Sequence, residues 1–211
     1  MHERRSRPGA AALADAAASA LAGRTLRAVV LVEGTSDQAA VETVAGRRGR
    51  DLAAEGVAVV AMGGAMSVGG FVSRFGPGGL GARLAGLYDI GEEATVRQGL
   101  SRSGLLGTGP APDALEQAGF FGCDADLEDE LIRALGPAAV EAVLAEHGDL
   151  ESFHRFGRQP AQRGRPVEAR LRRFLGTRSG RKLAYGRRLA AAVALDRVPQ
   201  PLLGALAHVL P

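Results

Sequence analysis

The sequence predicts an α/β fold: a mostly parallel four-stranded sheet flanked by helices, with a helical C-terminal appendage. Three observations predict it. Short apolar runs recur at 26–32, 57–62, 84–88 and 120–123, the first of them rich in β-branched residues, each bounded by glycine or an acid. The segments between them are long enough to serve as helical crossovers, which lets neighbouring strands run parallel. After residue 150 the strand pattern stops and helical spacing continues to residue 209. The chain therefore divides into an N-terminal helix over 1–25, an α/β domain over 26–150 and a basic helical extension over 151–211.

Residues 10–25 are Ala-rich and read as a helix ending near Gly23, either a dimer face or a core helix. The strand at 26–32 (LRAVVLV) ends in Glu33-Gly34. Ser36 is the expected N-cap of a helix over 37–46, whose apolar face is Ala39, Ala40, Val41 and Val44. The strand at 57–62 stops at Gly63-Gly64, and the glycine-rich 66–82 is expected to form a short helix and a loop. The strand at 84–88 leads into Asp89 and a helix over 92–98; residues 101–112 read as a loop. The strand at 120–123 runs into Asp124-Ala125-Asp126-Leu127-Glu128-Asp129-Glu130, with a helix from Asp126 to about 135 and another, after Gly136-Pro137, to about 146. The tail helices are broken by an Arg/Gly/Pro loop at 157–166, and Phe153, Phe156 and Phe174 are expected to dock them onto the sheet.

Composition removes several classes of function. A single cysteine, Cys123, excludes an internal disulfide framework and a Cys-rich zinc site, and fits a reducing, cytoplasmic setting. No secretory leader pattern and no apolar run long enough to span a membrane is present. There is no G-x-x-x-x-G-K-[ST] run, because the only lysine, Lys182, is followed by Leu183; ATP hydrolysis is not expected of this chain. Net charge is only +3, but from Arg155 to Arg188 eleven arginines and one lysine face a single acid, Glu168. A field this lopsided suits a polyanion, with a solvated basic face as the plain alternative.

Three strand ends carry acids: Glu33, Asp89 and the Asp124/Asp126 pair. In a parallel sheet the carboxyl ends of the strands share one edge, so acids distant in sequence converge there. Converging carboxylates repel unless a cation neutralises them, and Mg²⁺ suits hard oxygen ligands. Asp37, in the first turn of the next helix, can reach the same edge. Any one of these acids alone reads more readily as a helix cap or first-turn residue; three strand ends together favour a metal site.

The run Val32-Glu33-Gly34-Thr35-Ser36-Asp37 resembles the first motif of TOPRIM domains, and 57–65 (VAVVAMGGA) resembles the strand and glycine turn that follow it. Asp89-Ile90-Gly91-Glu92 stands where TOPRIM proteins carry Asp-x-Asp. Asp126-Leu127-Glu128-Asp129-Glu130-Leu131 and Ser179-Gly180-Arg181-Lys182 are similar to later elements of the OLD (overcoming lysogenisation defect) nucleases. The likeness extends over roughly residues 26–195. It implies a TOPRIM-like, Rossmannoid sheet and a nuclease cutting DNA, with RNA as the alternative substrate, using one or two Mg²⁺ or Mn²⁺ ions. The implied ligands are Glu33, Asp37, Asp89, Asp126 and Glu128. Gly91 replaces the second acid of Asp-x-Asp, with Glu92 as the stand-in. Glu33, Asp89 and Lys182 are the expected catalytic residues, and Arg163, Arg165, Arg178 and Arg181 the expected nucleic-acid contacts. OLD nucleases fuse this domain behind an ATPase, so a separate ATPase partner, or a homodimer, is compatible with the pattern. The rival reading is a catalytically weakened module that binds nucleic acid or such an ATPase.

Overall fold

A strand whose every residue is buried needs helices on both of its faces, and β1 (Ala28–Val32) is such a strand. It lies in a parallel four-stranded sheet with β2 (Val57–Ala61), β3 (Arg83–Asp89) and β4 (Phe120–Cys123), in the spatial order β2-β1-β3-β4. The computed structural model describes residues 9–107, 111, 113–177 and 179–211. Side chains alternate along the strands. Val30, Val32, Val59 and Leu87 enter one helical layer, formed by α2 (Thr35–Arg47), α6 (Leu127–Leu135), α7 (Pro137–Glu146), α8 (Leu150–Gly157), α9 (Val167–Leu175), α10 (Ser179–Ala192) and α11 (Gln200–Val209). Val29, Leu31, Val60 and Phe120 enter the other, formed by α1 (Ala10–Ala20), α3 (Val68–Phe75), α4 (Glu93–Arg102) and the short α5 (Ala114–Gln117).

The order of crossovers places the site. From β1 the chain passes through α2, on the first layer, to β2. From β2 it returns through α3, on the opposite layer, past β1 to β3. Connections that leave on opposite faces splay the loops between β1 and β3, which opens a crevice at their carboxyl ends. Glu33 follows β1 there, and Asp89 closes β3.

The sheet agrees with the sequence expectation, and the differences are local. Helix α2 starts at Thr35 with Gly34 as its N-cap, so Ser36 is a first-turn residue rather than the cap. Asp89 is the last residue of β3, paired with Cys123, rather than the residue after the strand. A turn of 3₁₀ helix at Ile90–Glu92 precedes α4, which continues to Arg102 into the segment expected to be a loop. The four-residue α5 was not expected; it is too short to show a period. Helix α1 is a core helix that buries Ala14 and Ala18 against the α3 side of the sheet.

The C-terminal segment is not set apart from the sheet. Leu171, Leu189, Val193, Leu202 and Val209 are buried in the same core as Val30 and Val32, so no break in the core falls at residue 150. Helix α10 lies along α2, and α11 packs on β1, β3 and β4. The tail phenylalanines, expected to dock onto the sheet, pack on one another between α8 and α9: Phe153 meets Phe174 edge-on at 5.4 Å, and Phe156 lies 5.6 Å from Phe174. No helix among the described residues is long and apolar enough to cross a membrane.

Candidate active site

Four acids, Glu33, Asp37, Asp89 and Asp126, lie near one another around the crevice. The carbonyl of Glu33 accepts the Gly63 N–H at 2.9 Å, which ties the end of β1 to the glycine turn after β2. Asp37 bends back so that its Oδ2 accepts the Gly34 N–H at 2.8 Å, satisfying one of the free donors at the start of α2. The convergence is electrostatically evident. The Asp89 carboxyl is pushed up to about 7, first by burial and then by the charges of Glu33, Asp126 and Asp37. The Asp37 carboxyl is also pushed up to about 7, by burial and then by Glu128, against the opposing pull of the Gly34 N–H and Lys182. Carboxylates from β1, α2, β3 and the start of α6 therefore feel one another.

Behind them lie buried Ser36 and Glu128, joined by the exposed Lys182. Glu128 is 4% exposed. The Ser36 hydroxyl donates to its Oε1, and Lys182 Nζ forms an ion pair with its Oε2 at 3.3 Å. Burial pushes the Glu128 carboxyl up, opposed by Ser36 and Lys182. Burial also disfavours the Lys182 charge, but Glu128 and Asp37 outweigh it and hold the ammonium above the ordinary lysine value. Glu128 Oε2 is buried with no well-directed hydrogen-bond donor among the described residues.

Close packing of α10 against α2 brings Lys182 to this place, and Gly186 permits it. A Cβ at Gly186 would stand 2.6 Å from the Ser36 carbonyl oxygen and 2.9 Å from its Oγ. Gly186→Ala is therefore expected to push α10 off α2, with a loss of about 1–3 kcal/mol by overpacking. A thermal melt reads that loss, and an unchanged melting temperature would contradict this account of the packing.

Asp126 caps α6: its Oδ1 accepts the Asp129 N–H at 2.8 Å. Its Oδ2 receives both Nε and Nη2 of Arg172 at 2.7 Å. The acids of the 124–130 run sort by direction. Asp124, Asp129 and Glu130 all pair with Arg133, whereas Asp126 and Glu128 face the site. The turn that delivers Asp126 contains Ala125 at φ 66°, a left-handed conformation that costs a non-glycine residue about 1–2 kcal/mol.

Beside Asp126 and Glu128 opens a cleft of about 830 Å³, walled by α9 and the start of α10. Arg165, Arg172, Arg173 and Lys182 line it. The expected arginine contacts are placed unevenly. Arg163 and Arg165 are exposed. Arg181 departs from the expectation: its guanidinium stacks 4.1 Å over Phe174 and bonds Asp149 at 3.2 Å and Thr177 at 2.8 Å, so it holds the tail together. Arg178 lies outside the described residues. Glu92 is exposed, and Glu93 is engaged with Arg97 at 3.0 Å. Ser36 was expected only as a helix cap, and Arg172 and Arg173 were not singled out from sequence; the tertiary contacts of Ser36 and Arg172 distinguish them.

The donor set is all hard oxygen, with an under-satisfied Glu128 oxygen and two carboxyls held at high affinity for protons, which fits a divalent cation such as Mg²⁺. Among the described residues no three of these side chains are yet gathered at ligand spacing. Arg172 and Lys182 meanwhile balance the charge of Asp126 and Glu128.

Residues 26–90, which hold Glu33, Asp37 and Asp89, match the family model described as overcoming lysogenization defect protein-like, TOPRIM domain. The fold resembles the C-terminal region of the Burkholderia pseudomallei OLD protein, with a TM-score of 0.65 at 18% identity over 87% of this chain and 97% of that one. It also resembles the C-terminal region of the Xanthomonas campestris pv. campestris OLD protein. One structure of that region gives a TM-score of 0.66 at 24% identity over 87% of this chain and 92% of that one. Another gives 0.63 at 26% identity, over 87% and 94%. No curated protein matches the sequence.

Proposed function

We propose, from the premise that this chain carries a TOPRIM domain of the OLD family, that it is a divalent-metal-dependent nuclease hydrolysing phosphodiester bonds of DNA. RNA is the alternative substrate. The observation that carries the reading is the meeting of Glu33, Asp37, Asp89 and Asp126 with the Glu128–Lys182 pair beside an arginine-lined cleft. Glu33, Asp37, Asp89, Asp126 and Glu128 would hold one or two Mg²⁺ or Mn²⁺ ions, with Glu92 standing in for the acid missing at Gly91. Such ions would activate water and stabilise charge on the phosphoryl group.

The chain's own groups have distinct tasks. Glu33 and Asp89 anchor the site from rigid strand ends, so its geometry does not depend on loops. Lys182 offers a point charge to the scissile phosphate or the leaving oxygen. Ser36 fixes the Glu128 carboxylate, and Glu128 positions the Lys182 ammonium. The arginines of α9 and the loop before it contact the backbone without reading sequence.

Nicking of supercoiled plasmid tests the proposal. Cleavage is expected with Mg²⁺ or Mn²⁺ and is expected to vanish with EDTA. Glu33→Ala and Asp89→Ala should each lower the rate by at least about 100-fold, the cost of roughly 3 kcal/mol of transition-state stabilisation. Folded protein that cuts neither DNA nor RNA with either ion would overturn it.

One observation favours a second reading. Gly91 has no side chain to offer, and Glu92 is exposed. On that reading the chain is a weakened module that binds nucleic acid or a separate ATPase. It would then bind DNA with a steep salt dependence and show no turnover.

A further inference from the structure

Asp126 is engaged on both of its oxygens. Its Oδ1 accepts the Asp129 N–H and its Oδ2 accepts two nitrogens of Arg172. A divalent ion taken up at Oδ2 competes with the guanidinium, because the two cations repel each other and share the lone pairs of one oxygen. The displaced group has somewhere to go. Arg172 is on the wall of the 830 Å³ cleft, beside Arg173, Arg165 and Lys182, and its side chain is 43% exposed. Its helix is anchored by buried Leu171, Phe174 and Leu175, so the side chain can swing without the backbone moving. Arg173 makes no hydrogen bond or ion pair with the other described residues, so its charge already faces the cleft. A guanidinium fork released into this space can offer two parallel N–H donors to a phosphate.

We propose that Arg172 is a phosphate-binding residue of the cleft that Asp126 holds back until a divalent ion occupies the acidic site. The inference rests on the nuclease reading only for its substrate class, a nucleic-acid backbone. Ion binding and backbone binding are then coupled through one side chain, and the coupling is reciprocal. Without the ion, Arg172 neutralises Asp126 and contributes little to the cleft. With the ion, Asp126 is neutralised from the other side and Arg172 turns to phosphate.

The test is fluorescence anisotropy of a short labelled DNA duplex, with EDTA or with Ca²⁺ as an ion of the right ligand chemistry. An ion adds positive charge in any variant, so the informative quantity is the part that depends on Arg172. Wild-type affinity is expected to rise on adding Ca²⁺ by about 5- to 10-fold more than that of Arg172→Gln. The salt slope of the Ca²⁺-loaded protein is expected to fall by about one in the variant. Asp126→Asn supplies an independent arm: with Arg172 released, it is expected to bind the duplex in EDTA about 5- to 10-fold more tightly than wild type does in EDTA. Circular dichroism melts establish that both variants are folded, and Arg172→Lys is expected to restore part of the ion-dependent gain. Equal weakening of Arg172→Gln with and without Ca²⁺, or no weakening in either, overturns the proposal. An Asp126→Asn protein no tighter than wild type in EDTA also overturns it. DNA binding of the expected pattern without cleavage would sink the nuclease reading and leave this one standing. No duplex binding under any condition would sink both.

Discussion

Methionine at position 182 is expected to cut phosphodiester cleavage by about 10²–10³-fold, the usual cost of removing one preorganised group that stabilises transition-state charge. Lys182 is the only lysine of the chain and, among the described residues, the only cation paired with Glu128. Methionine keeps the length of the stem and removes the charge. The protein is expected to stay folded, because the Lys182 side chain is 47% exposed and the exposed end of a pair contributes little. Glu128 loses its cation, and its carboxyl, already raised by burial, is pushed further up. The variant should therefore melt close to wild type in mild acid and lower at alkaline pH. Lys182→Arg is expected to recover only part of the activity, since a planar fork replaces a compact ammonium. Cleavage rates for the three proteins, with melts across pH, check this. A Lys182→Met protein of wild-type rate would remove Lys182 from the catalytic set.

The second large effect is a pH dependence of stability. In buffer free of divalent ions the protein is expected to melt higher at pH 5 than at pH 8. The Asp37 and Asp89 carboxyls are pushed up to about 7, from the ordinary 3.8 that they regain on unfolding. Between those values the folded chain binds more protons than the unfolded chain, so stability falls as pH rises through the window. Below about 4 both states are protonated at these groups and the effect saturates. Allowing for solvent relaxation around a site at the surface, a difference of ~2 kcal/mol, or ~4–8 °C for a chain of this size, is expected. Asp37→Asn or Asp89→Asn should flatten the profile. Millimolar Mn²⁺ or Mg²⁺ should lift the alkaline end, because a cation stabilises the ionised form that burial disfavours. A melting temperature that is flat or rising from pH 5 to 8 would show that the carboxyls are not coupled as their placement implies.

Much of the scaffold is legible in the sequence because the strands are short apolar runs closed by acids or glycine. Val29, Val30 and Leu31 require burial on both faces, and that alone places Glu33 at an edge of the sheet. Asp37 is legible from its spacing, although its N–H partner is Gly34 and the expected cap, Ser36, instead turns inward to Glu128. The Ser36–Glu128 contact joins residues far apart in sequence, so no local pattern announces it. Arg172 was hidden for another reason. In a tail crowded with arginines, nothing in spacing distinguishes the one that meets Asp126 from Arg181, which stacks on Phe174. The strand order β2-β1-β3-β4 was equally beyond reach, since four buried runs do not state which neighbours which.

The packing of α10 on α2 sets a timetable. During synthesis the strands that carry Glu33 and Asp89 emerge well before α10, and the contacts joining α10 to α2 are among the longest-range in the chain. Contacts that close such long stretches of chain tend to form late in folding. An early intermediate would hold a cluster of carboxylates without the lysine, and Glu128 would have no cation to receive it. The arrival of Lys182 and the closure of the hydrophobic core are one event, because the face of α10 that carries Tyr185 and Leu189 into the core also fixes the ammonium against Glu128. Completion of the site is in this sense a signal that the whole chain has folded.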